Sequence, residues 1–215
     1  KQVFASLHVI LSLAALGVAP QSFITMVLGT VVVFSGVLLT YRAQWEYHLI
    51  ITISSFLIYH LFWYTSIDQI AGVSTLQRIT GITATGLIGI TAAFVHYRSL
   101  YKTREFARLP FIAHLLNWLY MAIGFFLYST GSKWNTLVLG FASIVLFVLS
   151  RKAKSLEIDW LFKTDTLIAQ TVALFSIYTL QRWGLDGPFM VSLWFAEILI
   201  FLIMMNREDA AFLRR

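Results

Sequence analysis

A single glutamate, Glu197, stands in the run "GPFMVSLWFAEILIFLIMMN", with no other charged residue between Asp186 and Arg207. A carboxylate in such a run can relay a proton, coordinate an ion, contact a polar ligand or hydrogen-bond a neighbouring helix. It is not left facing hydrocarbon, where inserting a charge costs at least about 2.5–3.5 kcal/mol. Its candidate partners are polar residues set into other apolar runs: His60, Gln170, Asn117 and His114. By depth, His60 and Glu197 are the pair of most interest, because both fall near the middle of their runs.

Five histidines raise the question of haem. His48 and His60 share one run, and no second run repeats that pair. His8, His96 and His114 all fall toward one side, so a haem held between those histidines is the alternative to an expectation of no cofactor. No metal site is expected. No two histidines stand four apart on a helix, and the absence of cysteine excludes disulfides, thiolate ligands and cysteine nucleophiles. A catalytic set is also missing: there is no Gly-rich phosphate loop, no Gly-x-Ser-x-Gly and no pair of carboxylates on one apolar run. No lysine lies inside a run, which excludes a retinal Schiff base. The acids of "EIDWLFKTD" (Glu157, Asp159, Asp165) sit beside Lys154 and Lys163 and read as a solvated interfacial loop.

The elements that must position these residues follow from the composition. Hydrophobic residues make up 59% of the 215 and charged residues 12%, against roughly half and a quarter in soluble domains. A spanning helix needs about 20 mostly apolar residues. Eight runs approach this: 3–19, 23–41, 48–66, 79–97, 109–129, 134–149, 164–181 and 188–206. The sequence therefore predicts an all-α, polytopic transmembrane helical bundle of about eight spans, forming a single integral membrane domain over 1–215. The first run has a basic start and small residues at its end, like a signal peptide. Pro20 would be a poor residue after a cut, and we expect a retained helix.

Net charge is +6, and its placement matters more than its sum. Through eight spans, thirteen of the sixteen Lys and Arg fall on one side, and only Arg78, Lys133 and Arg182 on the other. The basic side of short loops is cytoplasmic. Both termini are expected there, in a bacterial inner membrane. Arg98, Lys102, Arg104, Arg108, Arg151, Lys152 and Lys154 are expected beside anionic lipid head groups, each worth about 1 kcal/mol. Membrane lipids and other membrane or cytoplasmic subunits are the expected partners, and nucleic acid is not.

Alternate runs end alike, "GVLLTYR", "AAFVHYR", "LFVLSRK" and "LIMMNRE", which suggests four helical hairpins with a period of about 50 residues. Gly81, Thr85 and Gly89 lie four apart, Gly29, Val33 and Gly36 mark one side of the second run, and Gly140 with Ser143 the sixth. Small residues let helix backbones approach in lipid. "RAQWEY" and "YHLFWY" read as interfacial anchors.

The stretch "GVLLTYRAQWEYHLIITISSFLIYHLFWY", with the hairpin pattern, resembles a family of large bacterial membrane proteins of unknown function built from tandem hairpins with basic-aromatic turns. That resemblance implies no activity. Phe23 to Arg215, through "YRAQWEYHLIITISSFLIYHL", "SLYKTREFARLPFIAHLL" and "FAEILIFLIMMNRED", also looks like the seven-helix membrane module of bacterial diverse-intracellular-signalling receptors. There the module joins an extracellular sensing domain to a cytoplasmic output domain. Neither domain lies within these 215 residues, and the first helix departs from the pattern.

The expected function is a non-catalytic membrane module, a sensor or a scaffold subunit. A small transporter or proton-coupled carrier using Glu197 is the alternative, although no run carries the Pro-Gly interruption that would break a helix at midplane. A lipid-modifying enzyme is third.

Overall fold

The computed structural model describes residues 1–20, 22–43, 45–129 and 132–212, apart from the side chains at 69–71, 204–205 and 207–212. Gln44 of "RAQWEY", and Arg214, Arg215 and the side chain of Arg207 from the basic side, lie outside the described residues.

The described chain is all-α. Its helices are α1 Gln2–Leu16, α2 Phe23–Ala43, α3 Glu46–Ala71, α4 Thr75–Thr103, α5 Arg108–Ser129, α6 Asn135–Ser155, α7 Asp159–Thr179 and α8 Gly187–Phe212, with a 3-10 turn at Leu180–Trp183 before α8. Several outrun the apolar stretches that betray them, because backbone hydrogen bonding continues into polar sequence wherever a cap ends it. The Asp68–Arg78 stretch, which lies between the third and fourth apolar runs, is mostly helix. Gly72 closes α3 with φ 71, and Ser74 opens α4 with a capping box: its hydroxyl accepts from the Gln77 N–H and its own N–H donates to the Gln77 side chain. At the far end Arg104 stops α4 in the left-handed region, its N–H donating to the Leu100 carbonyl at 2.7 Å.

Among the described residues, five helices are long and apolar enough to cross a membrane: α2, α3 as far as Asp68, α4, α5 and α6. The other three fall short for different reasons. At about 1.5 Å per residue, the 15 residues of α1 reach roughly 22 Å, less than the ~30 Å of a hydrocarbon core. In α8 the apolar stretch with described side chains is Gly187–Ile203, within a helix of 26 residues. α7 has 21 residues but carries Lys163, Asp165 and Gln170. Many large side chains face outward, among them Ile90 at 64%, Phe141 at 70% and Phe195 at 72% exposed. An outer surface of this kind suits an integral membrane protein, whose solvent is lipid.

The chain divides into two compact units, 1–130 and 131–215. In the first, α4 packs on α5 and α2, and α3 on α5, α1 and α2. The core comes from one face of each helix: Val9 and Leu13, Val33 and Val37, Ile53 and Phe56, Ala84 and Ile88, and Tyr120 are all nearly or fully buried. The small residues of α4 direct its docking. A Cβ at Gly81 would overlap the Tyr128 ring, one at Gly89 would meet Met121, and one at Gly124 of α5 would meet Thr85. The two backbones thus approach along a glycine seam.

This seam works against the expected four hairpins. α3 and α4 are not a closely packed pair among the described residues; α4 is drawn to α5 instead. In the second unit the closest pair is α6 with α7, which four repeats would have divided. Hydroxyl contacts join that pair: Thr136 to Thr179 at 2.8 Å, Ser176 to the Thr136 carbonyl at 2.8 Å and Ser143 to the Ala169 carbonyl at 2.9 Å. Interhelical bonds of this type are worth roughly 0.6 kcal/mol each in membranes. The Trp194 indole ties α8 to α7 by donating to the Leu174 carbonyl.

Two readings of aromatic and acidic sequence are corrected. Tyr59 and Trp63 of "YHLFWY" are core residues, 4% and 0% exposed, not lipid-facing anchors, because the α3 face that carries them is turned inward. Asp165 of "EIDWLFKTD" is not in a solvated loop. α7 begins at Asp159, and one and a half turns later Asp165 is 0% exposed.

Candidate functional site

The first unit holds three polar groups built on facing helices. His60 of α3 lies between two tyrosines of α5: its Nδ1 is 2.9 Å from the Tyr128 hydroxyl and its Nε2 3.4 Å from that of Tyr120. Tyr120 in turn donates to the Ala84 carbonyl of α4 at 3.4 Å. A carbonyl only accepts, so Tyr120 donates to it. For a neutral ring, Nε2 of His60 must then carry its proton and donate to Tyr120, while Nδ1 accepts from Tyr128. One proton arrangement satisfies all three contacts. Phe56 closes the group edge-on, 4.5 Å from the His60 ring centre, and the imidazole is 0% exposed.

The second group resembles the first in logic. His48 of α3, also 0% exposed, contacts the Gly36 carbonyl through Nε2 at 3.1 Å and the Ser6 hydroxyl through Nδ1 at 2.8 Å. Nε2 is again the protonated nitrogen, and Ser6 donates. Gly36 brings α2 close enough for its carbonyl to be reached: an added Cβ there would lie 3.3 Å from Thr52 and 3.5 Å from the imidazole.

In the third group, the rings of His96 of α4 and His114 of α5 lie 5.6 Å apart and tilted by 33°, both buried. Tyr97 and Phe106 pack edge-on to His114 at 5.4 and 5.5 Å. Asn117, a turn further along α5, donates to the Gly89 carbonyl at 3.1 Å, and its own carbonyl oxygen is buried without a hydrogen-bond partner. Of the three histidines considered for haem, His8 is exposed and takes no part in this group. His96 and His114 contact each other and their aromatic neighbours directly, so a porphyrin between them would require those neighbours to part. No cluster of three or more metal-ligating side chains occurs among the described residues.

In the second unit, the Gln170 amide of α7 donates to Glu197 Oε2 of α8. Glu197 is half-buried. With Gln170, Ser143, Phe147, Thr166 and Phe201 it lines a groove of about 220 Å³. Of the four candidate partners, Gln170 is the one bonded to it. His60 and Glu197 each find their partners within their own unit.

The cations at helix ends rest on aromatic rings. Arg98 lies 4.2 Å over Tyr41, Arg151 4.6 Å over Phe147 and Lys154 5.0 Å over Phe162. Arg98, Lys102, Arg104 and Arg108 are exposed around the α4–α5 turn, and Lys152 and Lys154 at the end of α6; Arg151 is half-buried.

Sequence reasoning missed His48 with Ser6, the two tyrosines, and Asp165. Tyr120 and Tyr128 were readable: eight residues apart, they share a helix face with Asn117 and Gly124. Ser6 carried no signal, because its role depends on how α1 docks. No family model, curated protein or solved structure matches the chain.

Proposed function

We propose that the chain is a non-catalytic, multi-pass membrane module, a sensor or scaffold subunit that holds partner proteins in the bilayer. The reading includes eight helices that all traverse or enter a bacterial inner membrane, with both termini in the cytoplasm. The observation that carries it is the enclosure of His60. This fully buried titratable ring of the first unit is sealed by Phe56, Tyr120 and Tyr128 and spends both nitrogens on holding α3 to α5. The glycine seam beside it brings α4 against α5 with side chains filling the approach. Polar groups are thus used to associate helices, which serves a rigid docking frame.

A carrier is the second reading, favoured by one observation: Glu197 and Gln170 border an open groove rather than a sealed core. Sealed proteoliposomes loaded with a pH-sensitive dye separate the two. A module of the first kind adds no proton flux to that of protein-free vesicles under an imposed gradient. A flux that Glu197→Gln abolishes would replace the scaffold with a proton-coupled carrier.

A further inference from the structure

The groove between α6, α7 and α8 presents hydrogen-bond acceptors that the chain itself does not satisfy. An ionised carboxylate only accepts, so the Gln170 amide nitrogen must face Glu197 Oε2, which turns Gln170 Oε1 away from that contact. Glu197 Oε1 and Gln170 Oε1 make no hydrogen bond among the described residues, and neither oxygen is enclosed. The two hydroxyls of the lining do not donate to them. Ser143 donates to the Ala169 carbonyl at 2.9 Å and Thr166 to the Phe162 carbonyl at 2.7 Å. The cations of α6 and α7 rest on rings instead: Arg151 4.6 Å over Phe147, Lys154 5.0 Å over Phe162 and Lys163 5.5 Å over Trp160. Among the described residues, no cation pairs with Glu197.

A purely structural link between α7 and α8 would need the Gln170–Glu197 bond and nothing more. Here the two outer oxygens of that link open into a groove of about 220 Å³ whose remaining walls are apolar: Ile144, Phe147, Ile200 and Phe201. Hydrocarbon filling the groove would leave both oxygens unanswered, which is costly for a carboxylate. A hard divalent cation such as calcium wants six to eight oxygens around it, and apolar walls supply none. A primary ammonium fits both halves of the lining. It carries a positive charge opposite Glu197 and N–H groups enough for both acceptors, while its carbon body covers the walls. The groove is smaller than the roughly 300–1,000 Å³ of drug-sized sites, so that body must be short.

We propose that this groove binds a small primary amine in its ammonium form. Its N–H groups donate to Glu197 Oε1 and Gln170 Oε1, and its apolar body lies among Ile144, Phe147, Ile200 and Phe201. The inference goes beyond the scaffold reading and does not rest on it. Its failure leaves the docking frame of the first unit untouched.

The test uses the purified full chain in phosphatidylcholine nanodiscs, whose lipid has no primary amine, with empty nanodiscs as the blank. Calorimetric titrations at neutral pH compare phenethylamine and hexylamine with phenethyltrimethylammonium, which keeps the charge and lacks N–H, and with 2-phenylethanol, which lacks the charge. We expect saturable binding of at least one amine, and at least tenfold weaker binding of the trimethylammonium and alcohol probes. Glu197→Gln should weaken amine binding about tenfold or more, the order expected for losing a hydrogen bond to a charged group. Glu157→Gln, an exposed acid of the same unit outside the groove, should bind as the parent does. The four probes keep the test decisive should a variant fail to fold. No saturable binding of either amine, equal binding of 2-phenylethanol or of phenethyltrimethylammonium, or indifference to Glu197→Gln overturns the proposal. Displacement of the amine by sodium chloride but not by choline chloride at equal ionic strength would assign the groove to an inorganic cation and also overturn it.

Discussion

Nδ1 of His60 in α3 and the hydroxyl of Tyr128 in α5 lie 2.9 Å apart, with neither group open to solvent. The same tyrosine ring rests on Gly81 of α4, so one side chain gathers three helices. Tyr128→Phe keeps the ring and deletes the donor, leaving Nδ1 unanswered. We expect a loss of about 1–3 kcal/mol. Tyr120→Phe is expected to cost less, since its contacts are 3.4 Å long. Thermal unfolding of both variants in the same detergent reads the difference, and equal losses would show that the short contact has no special weight.

The glycine seam gives a steric prediction with an internal control. Gly81→Ala drives a methyl into the Tyr128 ring, and Gly124→Ala drives one into Thr85, a stiff β-branched side chain. Each is expected to destabilise by about 1–3 kcal/mol. Gly86 lies on the same α4, but nothing stands within 4 Å of the position of its Cβ. Gly86→Ala should therefore be neutral or gain up to about 1 kcal/mol from helix propensity. Unfolding midpoints that failed to separate Gly86 from the other two would refute the seam.

For Glu197, an amide can replace the carboxyl opposite Gln170. Glu197→Gln should change stability by less than about 0.5 kcal/mol, whereas Gln170→Leu strands the carboxyl and should cost about 1 kcal/mol. Stability of the two variants is compared by denaturant titration in mixed micelles. A large loss for Glu197→Gln would mean that the carboxylate itself is needed.

α6 ends in a Schellman motif. The Glu157 N–H donates to the Lys154 carbonyl and the Ile158 N–H to that of Ala153, each at 3.0 Å. The position between, where glycine is favoured, holds Glu157 at φ 62. Glu157→Gly should raise stability by about 1 kcal/mol by removing the left-handed strain. Glu157→Ala keeps the strain and removes the charge. An equal gain from alanine would assign the effect to electrostatics instead.

Orientation is tested by labelling. Impermeant maleimide added outside intact cells should reach an engineered cysteine beside Lys133 or Asp186 and spare one beside Lys102. The reverse pattern defeats cytoplasmic termini.

Helix class and number were open to reading along the chain, because apolar length and the scarcity of charge are local properties. So was the docking face of α4, since Gly81, Thr85 and Gly89 repeat every four residues and such spacing lies on one side of a helix. Sequence also singled out Gln170 and Glu197, because a polar group in hydrocarbon must be answered by something. It could not choose among His60, Asn117 and Gln170 as the answering group. Depth is read along one helix, but a hydrogen bond depends on the rotation and neighbour of two. Tertiary structure decided that Gln170 faces Glu197, that Tyr120 and Tyr128 enclose His60, and that Trp63 and Asp165 turn inward. It also decided that α4 docks on α5, and α6 on α7, against the hairpin repeat. In hydrocarbon the hydrophobic effect has no preference among apolar faces, so close packing and hydrogen bonds select the neighbours, and both exist only once the helices meet.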